Sequence, residues 1–168
     1  HSASRIHSPY EEFINIPFLI KVPSSWKKEN PVLFNNLKNN ENINISNIDI
    51  VPTVLDIIGL KNASQWNKKI STLLDGNSLL TKIPSERTIK VSSINDFRQW
   101  NKESFTLIKG SKRLTFSSSI GAEIYHIDED PEQKKPLSTN LFKEEVKIFL
   151  PIINKDKHLN KMFLDKIK

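Results

Sequence analysis

Two carboxylates, Asp49 and Asp56, are seven residues apart, a spacing that puts both side chains on one face of a helix. Two carboxyl groups on one face could act as a general acid and a general base. The local sequence favours a simpler interpretation, because Asp49 follows Ser46 and Asn47 at the start of an apolar periodic stretch. A carboxylate in that position caps a helix and complements its dipole. We therefore interpret Asp49 as a capping residue and Asp56 as a solvent-facing residue.

Other residue types that carry chemistry are few. The chain has no cysteine, which excludes disulfides, thiolate metal sites and cysteine nucleophiles within it. His126 falls in a strand and turn, which predicts a structural role, and His158 falls in a lysine-rich helix, which predicts a solvated side chain. The tryptophans could stack on a sugar, but we interpret them as loop anchors. They are Trp26, Trp66 and Trp100.

A net charge of +6 and an isoelectric point near 9.4 would suit a polyanionic partner if the basic residues were clustered. The lysines are scattered instead, which favours solvated faces, so we expect no nucleic-acid partner. No apolar run reaches the roughly 20 residues that span a bilayer. The chain begins at His1 rather than Met, so we expect the true N-terminus to lie upstream. Compartment, membrane association and oligomeric state stay open.

The first half of the chain predicts a strand, a loop and a helix. A nearly continuous apolar run predicts a buried strand over 14–22. The stretch over 24–44 is rich in Asn and Lys and predicts a mobile loop, with a turn of helix around 32–37. Apolar residues at helical spacing predict a helix over about 49–58 that packs on a sheet and stops at Gly59.

The second half predicts an antiparallel sheet followed by helices. Asp75 and Gly76 predict a tight turn, after which residues 78–80 predict a short anchoring segment. Short runs rich in β-branched and aromatic residues then predict a meander, with a hairpin at Gly110. The predicted strands cover 88–92, 104–108, 112–116 and 123–127, and the predicted terminal helices cover 141–150 and 157–167.

Four local patterns, in order along the chain, carry a resemblance to a known family. Residues 10–23 contain Tyr-Glu-Glu and then Ile-Pro-Phe-Leu-Ile-Lys-Val-Pro, similar to the "YEE, then IPxxIxxP" segment of sulfatases. Residues 46–60 are similar to their "DIxPTxLxxxG" helix, residues 75–80 to their "DGxSLL" turn, and residues 123–132 to their "ELYDLxxDPxE" strand and turn. Over roughly residues 1–140, the chain therefore resembles the sulfatase family of the alkaline phosphatase superfamily.

The resemblance implies a fold class and a domain division. The expected fold is α/β, namely the C-terminal fragment of an alkaline-phosphatase-like fold. The edge of its α/β layer is followed by a small antiparallel sheet with a packed terminal helix. Residues 1–84 would be the C-terminal part of the sulfatase α/β domain. Residues 85–168 would be a small α+β subdomain.

The resemblance also implies a chemistry. Sulfatases attack the ester with a formylglycine nucleophile beside a divalent cation, here expected to be calcium, that offsets charge on the oxyanion. Both are expected in the part of the protein that precedes this chain, so the chain alone should be inactive. The implied substrate is a sulfated or phosphorylated small molecule or glycan.

One part of the active site could lie in this chain, because sulfatases carry a basic side chain a few residues before the "YEE" motif. It contacts the ester oxygens or protonates the leaving group. By the resemblance, His7 is the first candidate for this contact, His1 the second and Arg5 the third. The family often has His or Lys at this position, and no lysine stands at the expected place in this chain.

Two other functions stay open. The first keeps the superfamily but changes the chemistry to a phosphodiesterase or a phosphoethanolamine-type transferase, which the Ile-His-Ser-Pro-Tyr sequence at 6–10 somewhat resembles. The upstream nucleophile motif would distinguish it from a sulfatase. The second is a non-catalytic scaffold or binding module, which an upstream sequence without acidic metal ligands would favour.

Overall fold

The computed structural model describes residues 10–60, 73–94, 103–117 and 121–165. The chain divides into two compact units, of which one is Phe18–Arg87 and the other combines His1–Pro17 with Thr88–Lys168. The predicted domain boundary after residue 84 stays a prediction. In the described ranges, no helix has the length and apolar character needed to cross a lipid bilayer.

The second unit is built on a four-stranded antiparallel sheet, with its strands side by side in chain order. The strands are β1 (Ile89–Ile94), β2 (Glu103–Lys109), β3 (Lys112–Ser117) and β4 (Gly121–His126). Gly110 has a φ of +56°, and it makes the turn from β2 to β3 because glycine adopts this left-handed backbone without steric cost. The predicted meander and its hairpin are confirmed.

Helices cover one face of the sheet. They are α5 (Thr139–Glu145), α6 (Leu150–Lys155) and α7 (Lys157–Leu164), and a 3-10 turn at Val146–Ile148 joins the first two. The apolar core between sheet and helices consists of Phe105, Leu107, Leu114, Phe116, Ile124, Phe149, Ile153, Leu159 and Phe163. These residues recur with period two in the strands and at helical spacing in the helices. The predicted terminal helices are confirmed.

The Phe18–Arg87 unit is helical where a loop was expected. Helix α2 covers Ser24–Glu29 and α3 covers Pro31–Asn39. The predicted loop is therefore wrong over most of 24–39, whereas the turn of helix predicted around 32–37 lies within α3 and is confirmed. Pro31 begins α3, where its missing N–H costs nothing and its fixed φ suits the helix. Asn40 follows α3 and is buried.

The predicted strand over 14–22 is also wrong. Ile14 ends the short helix α1 (Glu11–Ile14), and residues 15–23 belong to no helix or strand. A strand needs a neighbouring strand to take up its backbone hydrogen bonds, and the described sheet pairs only β1 to β4. Ile16 and Leu19 are consequently exposed, at 70% and 93%.

The helix expected over 49–58 is confirmed. A 3-10 turn at Asn47–Asp49 leads into α4 (Ile50–Ile57), and Gly59 ends the segment with a φ of +76°. Its predicted packing on a sheet is not present in the described part of the chain. Pro52 and Thr53 are buried, whereas four apolar side chains of α4 are exposed, namely Ile50, Val51, Val54 and Ile57.

Candidate functional site

The residues predicted to contact substrate, His1, Arg5 and His7, lie outside the described residues, and their role stays a prediction. The described chain begins at Tyr10, three positions after His7.

Tyr10 is held against the sheet by a second tyrosine and a glutamate. Its ring meets that of Tyr125 edge to face, with the centroids 6.1 Å apart. The hydroxyl of Tyr125 donates to Oε2 of Glu123 over 2.6 Å, and the hydroxyl of Tyr10 donates to the same oxygen over 3.5 Å. Burial, followed by the hydrogen bond to Glu123, raises the pKa of Tyr125 far above its ordinary value of 10.0. Tyr125 is therefore a neutral donor at physiological pH.

Glu11 forms a buried, two-point ion pair with Arg113 of β3. Nε of Arg113 donates to Oε2 over 2.9 Å and Nη2 donates to Oε1 over 3.3 Å. The two side chains are only 7% and 13% exposed, for Arg113 and Glu11 respectively. Arg113 also donates to the carbonyl oxygen of Gly110 over 2.7 Å. Since strand residues alternate between faces, Arg113 faces away from the helices that contact its neighbour Leu114.

Gln133 holds the same short helix from the loop after β4. Its Oε1 accepts a hydrogen bond from the backbone N–H of Glu11 over 2.5 Å. The residue is 2% exposed and has a φ of +49°, a left-handed conformation that is uncommon for a residue with a side chain. Its Nε2 is buried and has no hydrogen-bond partner among the described residues. We call this group the α1 anchor: Tyr10, Glu11, Arg113, Glu123, Tyr125 and Gln133.

A second polar cluster surrounds Asp49, which is fully buried. Its carboxylate accepts from the backbone N–H groups of Ser46 and Asn77, each over 2.8 Å. It also accepts from Nη1 and Nη2 of Arg87, over 3.3 and 2.7 Å. The predicted capping role is confirmed, because Ser46 and Asp49 form a capping box. These contacts make Asp49 a structural residue.

Asp56 was expected to face solvent, and this prediction is wrong. The residue is half-buried, and its Oδ2 accepts from the hydroxyl of Ser78 over 2.6 Å. Thr53, one turn earlier, donates to the carbonyl oxygen of Asp49 and accepts from the N–H of Leu79. The polar side of α4 therefore packs on residues 77–80, and the two carboxylates serve that contact rather than acid–base chemistry.

Residues 75–83 are fixed between two helices. Leu79 and Leu80 are buried, which confirms the predicted anchoring segment. Nδ2 of Asn40 donates to the carbonyl oxygens of Leu79 and Thr81, and its Oδ1 accepts from the N–H of Ile83. The expected tight turn at Asp75-Gly76 is a bend.

The remaining predicted positions have structural surroundings. Nε2 of His126 is buried, forms no hydrogen bond with the part of the chain that the structure describes, and lies 3.9 Å from Oε1 of Glu145. His158 is largely exposed, as predicted, but its Nε2 lies 2.5 Å from Oε2 of Glu103. Trp26 is part of α2 rather than a loop. Trp66 and Trp100 lie outside the described residues.

A divalent cation is implied by the resemblance and stays a prediction. Among the described residues, no group of three or more histidine, aspartate or glutamate side chains could hold a metal ion. The carboxylates of Asp49 and Glu11 are engaged by arginine.

Sequence reasoning missed Arg113 and Gln133. Arg113 could have been noticed, because an arginine next to Leu114 inside an otherwise apolar and threonine-containing strand needs a counter-charge. Gln133 gave no comparable signal, since its left-handed backbone and its bond to Glu11 depend on residues far away in the chain.

The described chain thus defines a mixed helix and strand protein with a four-stranded antiparallel sheet, C-terminal helices and a separate helical unit. The model of a family described as a protein of unknown function (DUF229) matches residues 10–140. This is most of the chain, which therefore belongs to the DUF229 family, a sulfatase-like family. No curated protein was found to match the chain.

Proposed function

We propose that this chain is the C-terminal part of a sulfatase-like hydrolase that cleaves sulfate esters in a metal-dependent reaction. Membership of a sulfatase-like family supports the proposal. The structural observation that carries it is the outward apolar face of α4, the helix that sulfatases pack on their central sheet.

That face follows helical periodicity and lacks charge. Its side chains are between 40% and 60% exposed: Ile50, Val51, Val54, Ile57 and Ile58. Ordinary soluble proteins rarely leave a contiguous row of this kind uncovered. The polar residues of α4 contact residues 77–80, and its apolar face is exposed. A helix on the surface of a soluble protein normally has the reverse arrangement, with its polar face toward solvent. We propose that the sheet in the preceding part of the same protein covers this face.

In this proposal the chain supplies scaffold and one contact to substrate. The nucleophile and the acidic ligands of a calcium-type ion belong to the preceding part of the protein. Such an ion would neutralise charge on the ester oxygens. The first candidate to contact those oxygens or the leaving group is His7, followed by His1 and then Arg5. The substrate class is a sulfated small molecule or glycan.

The test begins with the coding sequence upstream of His1 and continues with the complete protein. An aryl sulfate and an aryl phosphodiester are assayed with and without EDTA. Sulfate release that EDTA abolishes is the expected result. Cleavage of the phosphodiester alone would replace the proposal with a phosphodiesterase or phosphoethanolamine-type transferase. An upstream sequence without nucleophile and acidic ligands, together with no turnover, would favour a non-catalytic scaffold.

A separate experiment tests whether a sheet covers the apolar face of α4 in the complete protein. Val54→Lys on α4 is compared, in the complete protein, with Val32→Lys on α3, where Val32 is 71% exposed. If a sheet covers α4, Val54→Lys buries an unpaired charge and lowers the thermal midpoint strongly, whereas Val32→Lys leaves it nearly unchanged. Equal small effects would mean that α4 is exposed in the complete protein as well.

A further inference from the structure

We infer that mild acid strengthens the attachment of the terminal helices to the sheet, through two histidine–glutamate pairs. The inference is independent of the proposed function, because it concerns only how the helix layer is held. The histidines that the structure describes are His126, at the end of β4, and His158, in the first turn of α7. Each faces a glutamate on the other side of the interface between sheet and helices.

His158 contacts Glu103, the first residue of β2. Its Nε2 lies 2.5 Å from Oε2 of Glu103, and its ring meets that of Phe105 edge to face, with the centroids 5.8 Å apart. A neutral imidazole can donate to Glu103, but a protonated one makes a charge-assisted bond that is roughly twice as strong. The two lysines of α7, Lys157 and Lys161, are exposed, so solvent screens their repulsion of the imidazole. Protonation therefore strengthens the link between α7 and β2.

Two further charges beside this contact, Lys90 and Asp156, bind each other. Nζ of Lys90 on β1 lies 2.8 Å from Oδ2 of Asp156. Oδ1 of Asp156 caps α7 by accepting from the N–H groups of His158 and Leu159. The positive end of a helix dipole disfavours a cation in the first turn, and the Asp156 carboxylate offsets that effect. Glu103 is therefore the charge that decides the sign, and it favours the protonated imidazole.

His126 faces Glu145, the last residue of α5. Its buried Nε2 forms no hydrogen bond with the described residues and lies 3.9 Å from Oε1 of Glu145. Protonation makes this nitrogen a cationic donor, which costs more to leave unpaired inside a protein than a neutral nitrogen does. A movement of about 1 Å brings it within hydrogen-bond distance of Glu145. A cation here is also favoured by the negative end of the α5 dipole.

The charge that opposes protonation of His126 is that of Lys112, which is its cross-strand neighbour on β3. Nζ of Lys112 contacts Oε2 of Glu145, so this lysine already has a counter-ion. The other carboxylate oxygen, Oε1, faces His126. Three acidic residues in the loop after β4 have charges of the same sign as Glu145: Asp128, Glu129 and Asp130. Glu145 can therefore hold both cations, which links α5 to two strands instead of one.

The two pairs should make the helix layer more stable as the pH falls. Histidine side chains ordinarily change charge between about pH 8 and pH 5, a range in which Asp and Glu side chains ordinarily stay ionised. A folded state that binds protons more strongly than the unfolded chain gains stability as they are taken up. Helices α5 and α7 should therefore open less often at about pH 5.5 than at about pH 7.5.

Native-state hydrogen exchange of the complete protein measures this opening through the amides of α5 and α7, after correction for the pH dependence of intrinsic exchange. In wild type, their protection should rise roughly 2- to 20-fold from pH 7.5 to pH 5.5, the effect of two partly exposed pairs together. The double variant His126→Gln and His158→Gln is neutral at both positions and should lose the rise. It retains His1 and His7, so those residues cannot account for the difference.

Lys147→Gln is the matched control, because it removes the exposed ion pair with Glu144 and neither partner changes charge in this range. It should keep the wild-type rise. In a Glu103→Gln background, His158→Gln should no longer alter the pH dependence. Equal protection of the wild type at the two pH values, a fall toward acid pH, or a rise that persists in the double variant would overturn the inference and leave the proposed function in place.

Discussion

Replacement of Asp49 by Asn should be among the most damaging single changes in the Phe18–Arg87 unit. The carboxylate is fully buried and takes up two backbone N–H groups as well as both terminal nitrogens of Arg87. Asn retains one acceptor oxygen but brings an amide NH₂ that cannot accept from these donors. Arg87, whose side chain is 12% exposed, would keep its charge without a counter-ion.

The expected cost is about 3–5 kcal/mol, the range for breaking a buried ion pair by removing one partner. Asp56→Asn is the matched control, because its half-buried carboxylate accepts from the Ser78 hydroxyl and Asn can still accept there. Its expected cost is about 1 kcal/mol. Native-state hydrogen exchange of the α4 amides measures both costs locally.

The reasoning also predicts how the cost depends on Arg87. In an Arg87→Leu background, Asp49→Asn should cost much less, because the stranded charge is already gone. A cost below about 1 kcal/mol for Asp49→Asn in the wild type would refute the reasoning, as would an equal cost in both backgrounds. If Asp49→Asn alone does not fold, the cost of this change can still be measured in the Arg87→Leu background.

Three further changes have distinct expected results. An added methyl group at Gly76 would lie 2.1 Å from the carbonyl oxygen of Ile48, so Gly76→Ala should destabilise by roughly 1–3 kcal/mol or more, measured by urea unfolding. Asp156 caps α7, so Asp156→Ala should cost about 1 kcal/mol and Asp156→Asn less. The hydrogen bond from Lys90 lowers the pKa of Asp156. The Asp156 carboxylate therefore stabilises the folded state above pH 3.8, and this stabilisation is lost as the pH falls. Acid unfolding of the wild type and of Asp156→Asn would show the difference. The raised pKa of Tyr125 means that stability should fall as the pH rises above 10.0, where the unfolded chain ionises first, and Tyr125→Phe should remove that slope in alkaline melting curves.

The sheet could be predicted from sequence because its signals are local. The strands are rich in β-branched and aromatic residues, and Gly110 marks the turn of the β2–β3 hairpin. The strand predicted over 14–22 was wrong because strand pairing depends on residues outside the local sequence. An apolar run shows that a segment is suited to burial, but a strand also requires a partner, and partners are set by distant residues.

Helix α2 and the full length of α3 were missed because their composition suggested a loop. The signal was nevertheless present, since Pro31 is a favourable first residue and Leu33, Phe34 and Leu37 recur at helical spacing. Capping by Asp49 could be predicted from the residues around it. Its ion pair with Arg87 could not, because the two are 38 positions apart and no local pattern links them.

The contact between Gln133 and Glu11 also constrains how the protein is made. The two residues are 122 positions apart, so at about 5–20 residues per second the ribosome needs roughly 6–24 s to add the second after the first. For the first 102 positions of that interval Glu11 has neither Arg113 nor Gln133 to bind, and the Phe18–Arg87 unit is synthesised before the sheet that holds Glu11. The earliest described residues to be synthesised are therefore among the last to reach their final place.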